Sequence, residues 1–435
     1  MTLIEHYVDR LADDVASGIT FERPQRIDDA LVRKVDKAGL NIRIPFCALR
    51  CAYCALPGDA FNHKTAQIFI DGLDIELGLY SEYLGKIDIN RIYLSGGTPS
   101  LLHREIPTIL EIVEDHFGSC GKVAIEASPT DLTKEVIDNL RSAGVTQISI
   151  GVQTFDEEML RGVLNRNVRK EQMIRTLELV MDSGFDYVNI DLMFSLPGQV
   201  QTSLIQDLKT AVDMGAHGIS TYPLMVLPYT PMTKKMKMEG RDIQTGQEAN
   251  EKGQYLSIVE HLRDEGYKLR TLWSFSTNPT EYEGPYEHSN FIGIGPRAWG
   301  LLGDKMTLNV PDLFDYMRRL EERSIPVFAF SPVRNYPLAR LARHLYYGGV
   351  DLAELKELKE KSSQVSKYVH LMRLLGLVKR NGERLILTDK ALAYGNRATK
   401  KIAMATLIKM DEVLRSEIKG PGQMDLEVPQ LRAPI

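Results

Sequence analysis

Arg43-Ile44-Pro45-Phe46-Cys47-Ala48-Leu49-Arg50-Cys51-Ala52-Tyr53-Cys54 gathers three of the chain's four cysteines into eight residues. The stretch follows a short apolar segment, Leu40 to Ile44, that reads as a strand, so the thiols belong to the loop leaving it. Three thiols this close cannot pair without leaving one over, which argues against a disulfide framework. They can wrap one soft metal centre. A structural zinc site closes with four ligands, often from paired C-x2-C knuckles, and no second pair exists here. An iron–sulfur cubane usually takes four thiolates. Three leave one iron with an open position, which suits catalysis better than electron storage.

Downstream, from about residue 41 to 222, short β-rich runs alternate with longer helical patterns. The strands are expected at Asn41–Ile44, Arg91–Leu94, Lys122–Ala127, Thr146–Gly151, Asp186–Met193 and Gly218–Tyr222. Helices are expected at Ala66–Leu84, Ile106–Phe117, Lys134–Ala143, Arg169–Ser183 and Ser203–Met214, with Gly144 and Gly184 as stop signals after two of them. This alternation predicts an α/β fold, a parallel sheet covered by helices, open or curled into a partial barrel. Ligands in such sheets gather at the carboxyl ends of the strands.

The polar motifs fall at those ends. Ser95-Gly96-Gly97-Thr98-Pro99 follows the second strand, where two glycines let backbone N–H groups approach a charged ligand and Thr98 adds a hydroxyl. Most Gly-Gly turns are only turns, so position carries the reading. Glu126 ends the third strand, as a ligand for hydroxyls or an ammonium group or as a solvated strand-end charge. Gln153 closes the fourth, and Arg166 follows the next turn. In Val188-Asn189-Ile190-Asp191-Leu192, alternation puts the apolar side chains on one face and Asn189 and Asp191 on the other. A polar face inside an apolar strand is costly unless satisfied, so Asp191 either pairs with a neighbour or binds a ligand. Arg166 and Asp191 offer the opposite charges that hold a zwitterionic amino acid moiety.

The remaining chain is organised more loosely. Residues 1–40 read as a helical lead-in, 41–225 as the core, 226–333 as a core extension covering the site, and 334–435 as a helical C-terminal domain. Asn381-Gly382, between two β-rich arms, is a hairpin signal. Helices followed by a hairpin suggest a winged-helix-like shape. Lys379, Arg380 and Arg384 keep DNA binding open as the alternative to a structural lid. With 435 residues, more than one core is expected. A net charge of −5 gives no reason to expect nucleic acid. The acidic, amphipathic start lacks the pattern of a signal peptide, and no apolar run approaches the roughly 20 residues that span a bilayer. These features and the clustered cysteines predict a cytoplasmic protein, with peripheral membrane contact left open.

Taken together, these motifs and Phe291-Ile292-Gly293-Ile294-Gly295-Pro296-Arg297-Ala298-Trp299 resemble the radical S-adenosylmethionine (SAM) superfamily. Over about residues 41 to 310 the chain is similar to the oxygen-independent coproporphyrinogen III oxidase family. The resemblance implies a partial (β/α)6-type barrel and a [4Fe-4S] cluster held by Cys47, Cys51 and Cys54. It implies two SAM molecules side by side. Tyr53, Gly96, Glu126 and Trp299 would contact the first, and Gly97, Thr98, Gln153, Arg166, Asp191 and Met225 would line the second or the substrate. One electron from the cluster then breaks a carbon–sulfur bond to give a 5′-deoxyadenosyl radical, with flavodoxin or ferredoxin as donor.

Several departures bear on substrate. Ala55 and Leu56 follow Cys54 where the decarboxylating enzymes carry a fourth cysteine. Arg43 replaces the histidine of a Tyr-x-His-Ile-Pro start, Gln147 stands where arginine is usual, and the tyrosine-rich lead-in is missing. The reading favoured on these grounds is a class C methyltransferase that methylates an sp2 carbon of an aromatic or quinone substrate, menaquinone among them. Its alternatives are a coproporphyrinogen III oxidase or a haem chaperone, each with a tetrapyrrole partner. In Glu281-Tyr282-Glu283-Gly284-Pro285-Tyr286-Glu287-His288, the residues Glu283, Tyr286 and His288 are the candidate proton acceptors, against an ordinary polar loop.

Overall fold

The computed structural model describes residues 2–32, 35–240, 244–278 and 290–418. Its centre is a run of six parallel strands: β1 (Lys37–Ile44), β2 (Asp88–Gly96), β3 (Lys122–Ala127), β4 (Gln147–Gln153), β5 (Tyr187–Phe194) and β6 (Gly218–Pro223). They lie side by side in chain order within a twelve-stranded mixed sheet. Beyond β6 the sheet continues antiparallel through Ser274–Ser276 and Lys268–Thr271. Beyond β1 it continues through Phe291–Ile294, which is parallel to β1, and then three antiparallel strands, Trp299–Leu302, Lys305–Asn309 and Val327–Pro332.

The parallel core follows from side chains buried on both faces. Leu40, Ile42 and Ile44 of β1 are almost wholly buried, and each contributes about 1.5–3 kcal/mol by leaving water. The crossover helices are α1 (His63–Leu84), α2 (Ile106–Phe117), α3 (Lys134–Ser142), α4 (Lys170–Met181) and α5 (Gln201–Asp213). Asn62 starts α1 by accepting from the Lys64 N–H, and Thr133 starts α3 by accepting from that of Val136. Gly144 and Gly184 lie at φ 89° and 76°, the left-handed turn that stops α3 and α4. One short helix, Glu157–Gly162, was not anticipated; at six residues it is too short to show a periodic stripe.

The first helix, Leu3–Ser17, is not an isolated lead-in. Its Tyr7, Val8, Leu11 and Val15 share a second apolar core with Leu338, Leu341, Val365 and Leu385 of the C-terminal part. There the Asn381-Gly382 hairpin forms between Val378–Asn381 and Arg384–Leu387. A third strand, Gly349–Asp351, completes the sheet. At three residues it is too short to show an alternating pattern. With helices Tyr336–Tyr346, Leu352–Lys361 and Ser363–Leu374 it makes the winged-helix-like unit.

Candidate active site

The carboxyl ends of the parallel strands converge on one cavity. This polar cleft of about 280 Å³ is lined by Cys51, Tyr53, Gly97, Thr98, Glu126, Gln153, Arg166 and Asp191, together with Ser128, Ser149 and Tyr222. Eight of the residues singled out in the sequence therefore meet in one place. The cysteine loop forms its rim and is fixed by backbone contacts. Phe46–Cys47 pairs with Asp59–Ala60, the Ala52 N–H donates to Leu164 O at 3.1 Å, and the Met232 N–H donates to Ala52 O at 2.9 Å.

The glycine pair acts differently from expectation. The Gly96 N–H points to Glu126 Oε2 at 3.4 Å. Those of Gly97 and Thr98 donate to Ile44 O at 2.8 Å and Phe46 O at 2.7 Å. These groups close onto the protein and do not present a nest to a ligand. The absence of side chains matters instead. A Cβ at Gly97 would stand 2.1 Å from Phe46 O and 2.9 Å from Cys47 Sγ, and one at Gly96 would stand 2.4 Å from Ile44 O. The glycines make room for the cysteine loop to pass against β2.

The three thiols fit a cubane. Gly58 and Gly97 both leave space around Cys47 Sγ, where either Cβ would come within 2.9 Å. Among the described residues, no three His, Cys, Asp or Glu side chains converge on a single-ion site. A cubane distributes its thiolates over separate irons, so its ligands need not meet at one point. Burial raises the Cys47 thiol and pushes Cys54 up to about 11, so iron binding must displace protons. Cys120 sits on the loop before β3, at the opposite end of the sheet, with its thiol directed to Gly118 O.

Asp191 both pairs with neighbours and faces the cleft. Ser149 Oγ donates to Oδ2 and Asn189 Nδ2 to Oδ1, each at 2.9 Å. Burial and the nearby Glu126 carboxylate push Asp191 up to about 7. Glu126 is itself raised by burial, against hydrogen bonds from Tyr93 and Gly96. Across the cleft, Arg166 donates to Gly151 O at 2.5 Å and to Ser128 Oγ at 3.1 Å. Because its folded pKa is raised, protonated Asp191 stabilises the ligand-free chain below the ordinary carboxylate range, and that contribution is lost as pH climbs through about 7. Ligand binding runs the other way: a bound ammonium group needs the ionised carboxylate. SAM affinity, measured by equilibrium dialysis, is expected to fall about tenfold per pH unit below about 7, and Asp191→Asn to remove that slope.

Met225 and Trp299 do not join the polar cleft. They line a second cavity of about 480 Å³ with Leu56, between the barrel and the helices Leu3–Ser17, Tyr336–Tyr346 and Asp389–Ile418. Its walls are apolar, including Ile19, Leu301, Tyr336, Ile402 and Met410, apart from Arg340, Arg343 and two threonines. Trp299, expected at the first SAM, and Met225, expected at the second SAM or the substrate, thus lie apart from the other residues singled out. Trp299 packs edge-on against Phe291, with ring centroids 4.9 Å apart. Glu283, Tyr286 and His288 lie outside the described residues. Tyr222 was missed although it nearly ends β6, where the strand-end rule pointed; Ser128 was missed because a lone serine carries no motif.

A fold with parallel strands, a three-cysteine loop at their carboxyl ends and a polar cleft beside it defines a radical SAM protein, and residues 41–211 match the Radical SAM superfamily. The haem chaperone HemW of Buchnera aphidicola subsp. Schizaphis graminum is 30% identical over 282 residues, 61% of this chain and 71% of its own length. The oxygen-independent coproporphyrinogen III oxidase of Salmonella typhimurium is 27% identical over 309 residues, 65% of each chain. The solved structure of coproporphyrinogen III oxidase from Escherichia coli superposes with a TM-score of 0.71 at 20% identity, covering 88% of this chain and 93% of that one. The chain belongs to the radical SAM superfamily and, within it, to the family of haem chaperones and oxygen-independent coproporphyrinogen III oxidases. Its cofactors are a [4Fe-4S] cluster and SAM. Among the described residues, no helix is long and apolar enough to cross a membrane.

Proposed function

We propose that this chain binds a haem-type tetrapyrrole in the apolar cavity beside its cluster loop and serves as a haem chaperone. The observation that carries the reading is the cavity itself. Leu56, Met225 and Trp299 bound it on the side of the cysteine loop, and nearly all the rest of its lining is hydrocarbon or aromatic. Arg340 and Arg343, one helical turn apart, are the only cationic residues of the lining among the described residues; Arg340 is paired with Glu354, and a propionate would have to compete for it. Ala55 and Leu56 in place of a further cysteine weigh against decarboxylation. The comparisons favour these tetrapyrrole readings over the methyl transfer to a quinone expected above.

A second reading, oxidation of coproporphyrinogen III, is favoured by the intact polar cleft. When bound, the cluster supplies the electron that breaks the carbon–sulfur bond of SAM. In that reading Asp191 and Arg166 hold the ammonium and carboxylate of an amino acid moiety, the Leu56–Trp299 wall excludes water from the reacting region, and flavodoxin or ferredoxin is the donor.

Oxygen-free, iron-loaded protein titrated with haem is expected to give a saturable Soret band. Ala403→Phe, which intrudes on the cavity wall, should weaken binding at least about tenfold while iron content stays constant. Unchanged haem affinity in that variant overturns the reading. With methyl-deuterated SAM, unlabelled 5′-deoxyadenosine that forms only with coproporphyrinogen selects the oxidase. Deuterium in that product restores methyl transfer.

A further inference from the structure

Behind the cysteine loop lies a buried positive charge that the cleft does not use. Arg43 stands near the end of β1 and is only 7% exposed. Its Nη2 donates to Leu56 O at 2.6 Å, two residues past Cys54. Its Nε is buried with no hydrogen-bond partner among the described residues. Its aliphatic stem fills the space that Gly96 leaves, since a Cβ there would meet Arg43 Cγ at 2.9 Å. The next carbonyl of the loop, Pro57 O, accepts from Arg297 Nη1 at 2.8 Å, and Asp59 sits 3.6 Å from the same guanidinium. Two guanidiniums thus grip successive carbonyls of the loop. Burial first, and then the nearby Arg297, disfavour the charge on Arg43, while Cys54, the Glu126 carboxylate and Cys47 favour it. No carboxylate pairs with Arg43 among the described residues.

A guanidinium held away from water, as that of Arg43 is, is costly unless negative charge lies nearby, whereas Arg297 is partly exposed and faces Asp59. A cubane core with three thiolates carries about one net negative charge and gains another on reduction. We propose that Arg43, supported by Arg297, raises the reduction potential of the cluster by holding a desolvated positive charge behind the loop that carries Cys47, Cys51 and Cys54. One electron arrives from an external low-potential donor protein, the cluster core passes from the 2+ to the 1+ state, and the guanidinium stabilises the added charge without moving a proton. The inference rests on the cluster alone and is independent of the tetrapyrrole reading. Arg43 is a positioning residue, and the consequence is that a less reducing donor suffices.

The test is an EPR-monitored redox titration of the full, iron-loaded chain without SAM, comparing wild type, Arg43→Met and Arg43→Lys, with iron counted in each. Arg43→Met is expected to make one-electron reduction about tenfold less favourable, a shift of about 59 mV to more negative potential. Arg43→Lys, which retains charge while losing the planar fork, should recover more than half of that shift. An unchanged potential in Arg43→Met, or an equal shift in both variants, overturns the proposal. If Arg43→Met fails to hold iron, Arg297→Met against Arg297→Lys is read by the same criteria, since Arg297 is partly exposed and easier to replace.

Discussion

Replacing Cys47, Cys51 or Cys54 by alanine is expected to all but abolish SAM cleavage. The three side chains come from one loop whose backbone is tied to Leu164, Asp59 and Met232. What each variant loses is one of three thiolates, and no fourth cysteine lies near enough to replace it: Cys120 is at the far end of the sheet. The expected loss exceeds about 10³-fold in 5′-deoxyadenosine formation, because removing the group that supplies the electron forfeits most of an enhancement of typically about 10⁶ or more. Iron per chain should fall with it. Cys120→Ala should leave both readings at wild-type level. A cysteine variant that keeps its iron and its activity would remove the basis for the site.

Gly97→Ala carries a large expected effect from a single methyl group beside the cluster loop. Its Cβ would meet Phe46 O at 2.1 Å and the Phe46 carbonyl carbon at 2.6 Å. Both are backbone, so no side chain can rotate away and the cysteine loop must shift off β2. Overpacking of this kind costs about 1–3 kcal/mol. The same displacement moves Cys47, whose Sγ would lie 2.9 Å from the added carbon, so cluster occupancy should drop by more than half. Gly162→Ala is the control: nothing lies within 4 Å of its Cβ, and stability and iron content should both hold. Thermal unfolding and iron analysis on the two variants decide the matter. Equal behaviour of the pair would mean that the loop does not pack against Gly97.

The parts of the molecule legible in the sequence are those with strong local signals. The strand at Lys122–Ala127 and the helix at Ile106–Phe117 are placed to the residue, since each is a periodic run bounded by turn residues. The polar face of β5 is readable because alternation separates Asn189 and Asp191 from Val188, Ile190 and Leu192, which are buried. The apolar cavity is not readable. Its walls come from Ile19, just past the first helix, and from Tyr336 and Met410 on C-terminal helices whose apolar stripes resemble ordinary core. Arg43 stands out in the sequence as a departure, but its burial and its grip on Leu56 O depend on Gly96, one full strand–helix unit away in sequence. The Gly96-Gly97 pair is conspicuous for the right residues and the wrong reason, because partners for backbone N–H groups are settled only by the fold.

The central claim is that three thiolates leave one iron of the cluster free to take SAM at the mouth of the polar cleft. EPR of the reduced, oxygen-free protein before and after addition of SAM tests it most directly. The account predicts a [4Fe-4S]+ signal whose g-values change on adding SAM. A spectrum unmoved by saturating SAM would contradict it.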